Sequence, residues 1–173
     1  MKRTALLLLV LAAVTPAAQA RTKPPLKRAC QLLSTAQVSA VMGRKMARSA
    51  NDPTGCGWRS GTQAEVGLQV YGFKTVKAAE EYLQGGPVAD FELCQQPPNQ
   101  FLPGSGLGDE AWLDSCNSNL AFRLGRVTGE VSAYSADVTE GSRKDSARVT
   151  ALSRKAVKRL RKLRCPPAFC FGT

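Results

Sequence analysis

Cys30-Gln-Leu-Leu-Ser-Thr-Ala-Gln-Val38, then Gly43, then Cys56-Gly-Trp58, is the stretch from which the fold is read. Ser34 is an N-cap with Gln37 three positions on, the S-x-x-Q capping box. Leu33 ahead of the cap and Val38 behind it are placed for a hydrophobic staple. Val38, Val41 and Met42 share one helical face. Gly43 is free to take the positive φ of a helix stop. A helix this short does not persist alone in water. The cysteines at the two ends of the stretch supply a fastening. A Cys30–Cys56 bridge would tie the helix to the strand that Cys56-Gly-Trp58 opens.

Working outward from it, residues 1–20 read as a secretory signal peptide: Lys2 and Arg3, an apolar run from Ala5 to Val14, and Ala18-Gln19-Ala20 as the cleavage site. The apolar run is short for a bilayer span. No cysteine directly follows it, so a lipid anchor is not expected. Residues 21–29 read as a flexible lead-in, 30–165 as a single domain and 166–173 as a C-terminal tail. The predicted location is the periplasm or the outside of the cell.

Beyond the first helix, 44–55 is polar and rich in breakers and reads as a loop. Glu65 to Phe73 alternates, with Val66, Leu68 and Val70 on one side and Gln69 and Tyr71 on the other, as a half-buried strand does. Thr75 caps a second helix with Val76, Ala79, Tyr82 and Leu83 inward and Gly85-Gly86-Pro87 as its end. Residues 88–107 read as an irregular loop. Three strand-like runs follow at hairpin spacing: 110–113, 119–124 and 127–135. Leu120, Phe122, Leu124, Val127, Val131 and Ala133 point inward. The last helix is capped by Ser142, with Val149, Leu152, Ala156, Leu160 and Leu163 in one stripe and Pro166 as its stop. The fold class is α+β: an antiparallel sheet of about five strands with helices packed on one face, in the order α-β-β-α-β-β-β-α.

Six cysteines in an exported chain read as disulfides. Fifteen pairings are possible in principle; pairing of neighbours, Cys30–Cys56, Cys94–Cys116 and Cys165–Cys170, is favoured, the last least because two prolines stiffen its loop. With no histidine and no Cys-x-x-Cys, neither a metal nor a cofactor is expected. The absence of histidine also removes Ser-His-Asp and Cys-His catalysis. Gly104-Ser-Gly-Leu-Gly108 lacks the lysine and the following helix of a phosphate loop and reads as a flexible approach to the next strand. Asp109 and Glu110, as strand neighbours, point to opposite sides and make a poor acid/base couple. Glu80 and Glu81 read as a solvated helix surface. Trp58, Tyr71, Trp112 and Tyr134 read as core residues or, alternatively, as a pocket lining. No catalytic residue is assigned.

The formal net charge of +11 is unevenly placed. Residues 60–140 hold four basic and eleven acidic residues, whereas 141–173 hold ten basic residues against Asp145 alone. Arg154, Lys155, Lys158, Arg161 and Lys162 fall opposite the apolar stripe of the last helix. Three readings apply: a solvated face near the negative end of the helix dipole, a polyanion contact, or pairing with an acidic protein surface.

The motif Cys30-x-Leu-Leu-Ser34-x-x-Gln-Val38, with Gly43 and Cys56-x-Trp58, resembles the opening of a family of small bacterial envelope proteins of unknown function. Leu107-Gly-Asp-Glu-Ala-Trp112, then Leu120-Ala-Phe-Arg-Leu-Gly125 and an alternating strand, is similar to that family's second half. The resemblance spans Arg28 to Leu163 and implies an envelope location and a fold, with no catalytic residues to carry over. Many of its members look like lipoproteins, unlike this chain. The expected function is a soluble, non-enzymatic binding or accessory module whose basic helix contacts an anionic envelope polymer or lipid headgroups. The alternatives are a protein-interaction subunit or inhibitor that meets an envelope protein through 88–107, and a hydrolase with an unrecognised site. Intracellular nucleic acid and a transmembrane span are not expected.

Overall fold

The computed structural model describes residues 27–89, 100–102, 105–136 and 143–163. The expected signal peptide, the cysteines at 94, 165 and 170, the Ser142 cap and the tail lie outside them. The opening unit forms as its sequence dictates. Helix α1 (Thr35–Met42) begins at Ser34, whose Oγ accepts the Gln37 N–H at 3.2 Å while Gln37 Oε1 accepts the Ser34 N–H at 2.9 Å. Gly43 ends it at φ 70°. Leu33 and Val38 are both buried, as a staple requires. Cys30 is disulfide-bonded to Cys56, with 5.2 Å between their Cα atoms. The Trp58 indole N–H donates to Thr35 Oγ1 at 3.2 Å, so a second bond joins α1 to the same strand. Residues 27–29, expected as flexible lead-in, are held instead. Ala29 is fully buried, its N–H donates to the Pro53 carbonyl at 3.1 Å, and Arg28 donates to the Asn51 carbonyl at 3.0 Å.

The remaining elements are β1 (Ala47–Asn51), β2 (Gly55–Ser60), β3 (Ala64–Gly72), α2 (Val76–Leu83), β4 (Gln100–Phe101), β5 (Glu110–Asp114), β6 (Asn119–Leu124), β7 (Val127–Ser135) and α3 (Arg143–Leu160). The strands form one antiparallel sheet in the order β1-β2-β3-β7-β6-β5-β4. It therefore has seven strands rather than five. The first addition lies in the segment read as a loop. Every residue of β1 is exposed, so it has no alternation to read, and backbone pairing to β2 holds it at the edge. A bulge between Arg48 and Ala50 interrupts that pairing, which blunts an exposed edge. The second addition, β4, is too short to carry a periodic pattern.

The helices are not confined to one face, contrary to the sequence reading. Trp58, Val66, Leu68, Leu120, Phe122 and Val131 form one core with Val38, Met42, Val149, Leu152 and Ala156, so α1 and α3 cover that side. Ala121 points the other way along β6 and packs with Leu83, Val88 and the partly buried Trp112, beneath α2. The small side chain at 121 leaves room for α2. Within α2, Ala79 and Leu83 are buried, whereas Val76, expected inward, is 43% exposed at the first position. The helix does not stop at Gly85-Gly86-Pro87 but widens into a π-helical turn, Gln84–Val88. Gly108 is pinned rather than loose. Its φ is +117°, a Cβ there would stand 2.2 Å from the Arg123 carbonyl oxygen, and the Asp109 N–H donates to that oxygen at 2.8 Å.

Candidate functional site

Helix α3 is positioned by its apolar stripe and by a polar anchor at its start. Val149, Leu152, Ala156 and Leu160 are buried as read, and so are Ser153 and Val157, which widens the stripe. At its start, Asp145 and Arg148 form a buried ion pair at 2.7 Å. The other arm of the Arg148 guanidinium donates to the Met42 carbonyl at 3.1 Å, the last residue of α1. The first turn of α3 is thus tied to the C-terminus of α1, and the disulfide ties the lead-in of α1 to β2. The two helices form a fixed pair with a cleft between them.

The five cations singled out in the sequence are all exposed, but they do not act together. Lys155, Lys158 and Lys162 line a cleft of about 290 Å³ with Arg159 and with Gln37 of α1. Arg154 turns away to the Ser105 carbonyl, 3.4 Å from its Nε. Arg161 lines a separate hollow with Asp109, Leu124 and Gly125. The sequence reading missed Arg159, although 155, 158, 159 and 162 are spaced as one helical row. None of the four cleft cations forms an ion pair with a described residue. Gln37 Oε1 is taken by the Ser34 N–H, which leaves its amide NH2 as a further donor at the cleft.

Three acidic residues converge elsewhere, on Arg123. Arg123, whose side chain is 11% exposed, pairs with Glu80 at 3.2 Å, Asp109 at 3.4 Å and Glu110 at 3.3 Å. Asp109 lies in the bend before β5, so it converges with Glu110 on one guanidinium instead of facing away from it. Glu110 also accepts from Gln84 and from the Trp112 indole N–H. Glu80 is therefore an ion-pair partner and not simply solvated; Glu81 pairs with Lys77 at 3.7 Å.

The four aromatic residues considered as a pocket lining are dispersed. Trp58 is in the core, Tyr71 packs on Tyr82, Trp112 packs on Phe101, and Tyr134 stands exposed. Burial, with Tyr71 beside it, pushes the Tyr82 phenol up to about 12.

Cys116 is disulfide-bonded, and its expected partner at 94 is outside the described residues, as is most of the 88–107 loop. Among the described residues, no His, Cys, Asp or Glu group is arranged to hold a metal ion, and no helix is long and apolar enough to cross a membrane. No family model, curated protein or solved structure matches this chain.

Proposed function

We propose that this chain is an exported, disulfide-stabilised module of the bacterial envelope that binds polyanionic material through the basic row of α3. The observation that carries this reading is the convergence of Lys155, Lys158, Arg159 and Lys162 with Gln37 on one cleft, with no described carboxylate paired to them. Like charges four residues apart on a helix repel, and an anionic ligand relieves that repulsion. Export is supported by the pattern of residues 1–20 and by the Cys30–Cys56 bond, which persists in oxidising compartments.

Heparin affinity chromatography tests the reading. A variant with the four cleft cations changed to glutamine is expected to elute at clearly lower salt than wild type, because each phosphate- or sulfate-neutralising cation adds to the salt dependence of binding. The pair R154Q/R161Q, outside the cleft, is expected to shift elution much less than the pair K158Q/K162Q, which removes the same charge. Coincident elution of wild type and the four-site variant would dismiss the reading.

A further inference from the structure

The shape of the cleft narrows the class of ligand, an inference that rests on the anion-binding reading above. Lys155 to Lys162 runs about 10 Å along the axis of α3, through its last turn and the tight turn that follows Leu160. Members of the row that are three or four residues apart stand about 5–6 Å apart at their Cβ atoms. A row of that length exceeds the size of a single anionic group, so a ligand with repeated charges engages more of it than one anion does. Three of the four cations are lysines, which hold phosphate as compact point charges, and the guanidinium of Arg159 can engage phosphate bidentately.

The surroundings exclude a flat apolar target. α1 forms a wall on one side of the cleft through Gln37. The large exposed hydrophobic residues among those described are Val76, Phe101 and Tyr134, and none is on α1 or α3. A helix that lies in a bilayer surface buries an apolar face there, but the apolar stripe of α3 is already in the protein core. The wall itself is fixed, because the Arg148–Met42 bond and the Cys30–Cys56 disulfide hold α1 in place.

We propose that the α1–α3 cleft grips a linear chain of repeated phosphate groups laid along α3, and not a membrane surface. The test is calorimetric titration of the full chain with tripolyphosphate, orthophosphate and tri-glutamate, together with co-sedimentation on phosphatidylglycerol vesicles. Tripolyphosphate is expected to bind at least about tenfold more tightly than orthophosphate, with tri-glutamate clearly weaker than tripolyphosphate. K158Q/K162Q is expected to lower tripolyphosphate affinity about fivefold or more, with R154Q/R161Q within about twofold of wild type. All four side chains are exposed, so the variants are expected to melt at the wild-type temperature.

Equal affinity for the two phosphates, equal binding of tri-glutamate, or equal losses in the two double variants would each overturn the inference. So would vesicle binding at about 0.15 M salt, where exposed charges are screened beyond about 8 Å, if tripolyphosphate did not displace it. These outcomes are separable from failure of the broader reading. A heparin shift without discrimination between the phosphates removes only the linear chain, whereas an absent heparin shift removes anion binding itself.

Discussion

Phe122 on β6 lies across Gly129 on β7, its register partner, so closely that a Cβ at position 129 would stand 2.4 Å from the ring. The aromatic ring occupies the space that glycine leaves, and it does so on the side of the sheet covered by α3. Replacing Gly129 with alanine therefore forces the ring or the strand to move. Overpacking of this kind costs about 1–3 kcal/mol. G129A is expected to lower the denaturant midpoint by a corresponding amount. In an F122L background the same change should cost less, and the double-mutant cycle reads that coupling directly. Independent, additive effects of the two substitutions would show that the ring is not what glycine accommodates.

The Cys30–Cys56 bond closes a separation of 26 residues around α1. Removing it with C30A/C56A frees the unfolded chain and is expected to lower stability by about 2–4 kcal/mol. Arg148 still donates to the Met42 carbonyl and Trp58 still donates to Thr35, so α1 keeps its other attachments. The variant should remain folded at room temperature with an earlier urea midpoint. An unchanged midpoint would mean that the two side-chain bonds alone hold the helix.

Tyr82 titrates above the ordinary tyrosine value, at about 12 against 10.0, because its environment penalises the phenolate. The sign follows from linkage. The folded state keeps this proton at a pH where the unfolded state has begun to lose it, so this contribution favours folding below pH 10 and is lost as pH rises toward 12. Alkaline titration of wild type is expected to show a fall in stability across that window. Y82F removes the ionisation, and its fall over the same window should be smaller. Parallel curves for the two proteins would contradict the assignment.

Much of this architecture was legible because the signals are local. The Ser34–Gln37 capping box, the alternation of β3 and the apolar stripe of α3 each lie within a few turns or one strand, where spacing alone defines a face. The two added strands were not legible for opposite reasons: β1 exposes every residue, and β4 has only two. The placement of α2 was hidden by Ala121, whose small side chain between Leu120 and Phe122 does not announce a second core.

The candidate site divides in the same way. Composition revealed the excess positive charge of the last helix, but it grouped Arg154 and Arg161 with the lysines and omitted Arg159. The row that shares the cleft is defined by where α1 lies, and that depends on a disulfide from Cys30 to Cys56 and a bond from Arg148 to Met42. By itself, the sequence determined the capped helices, their inward faces and the concentration of cations, since these depend on neighbours within a few residues. Only the tertiary structure decided which cations converge and which side of the sheet each helix covers, because those relations join residues that lie far apart along the chain and meet only when the core closes.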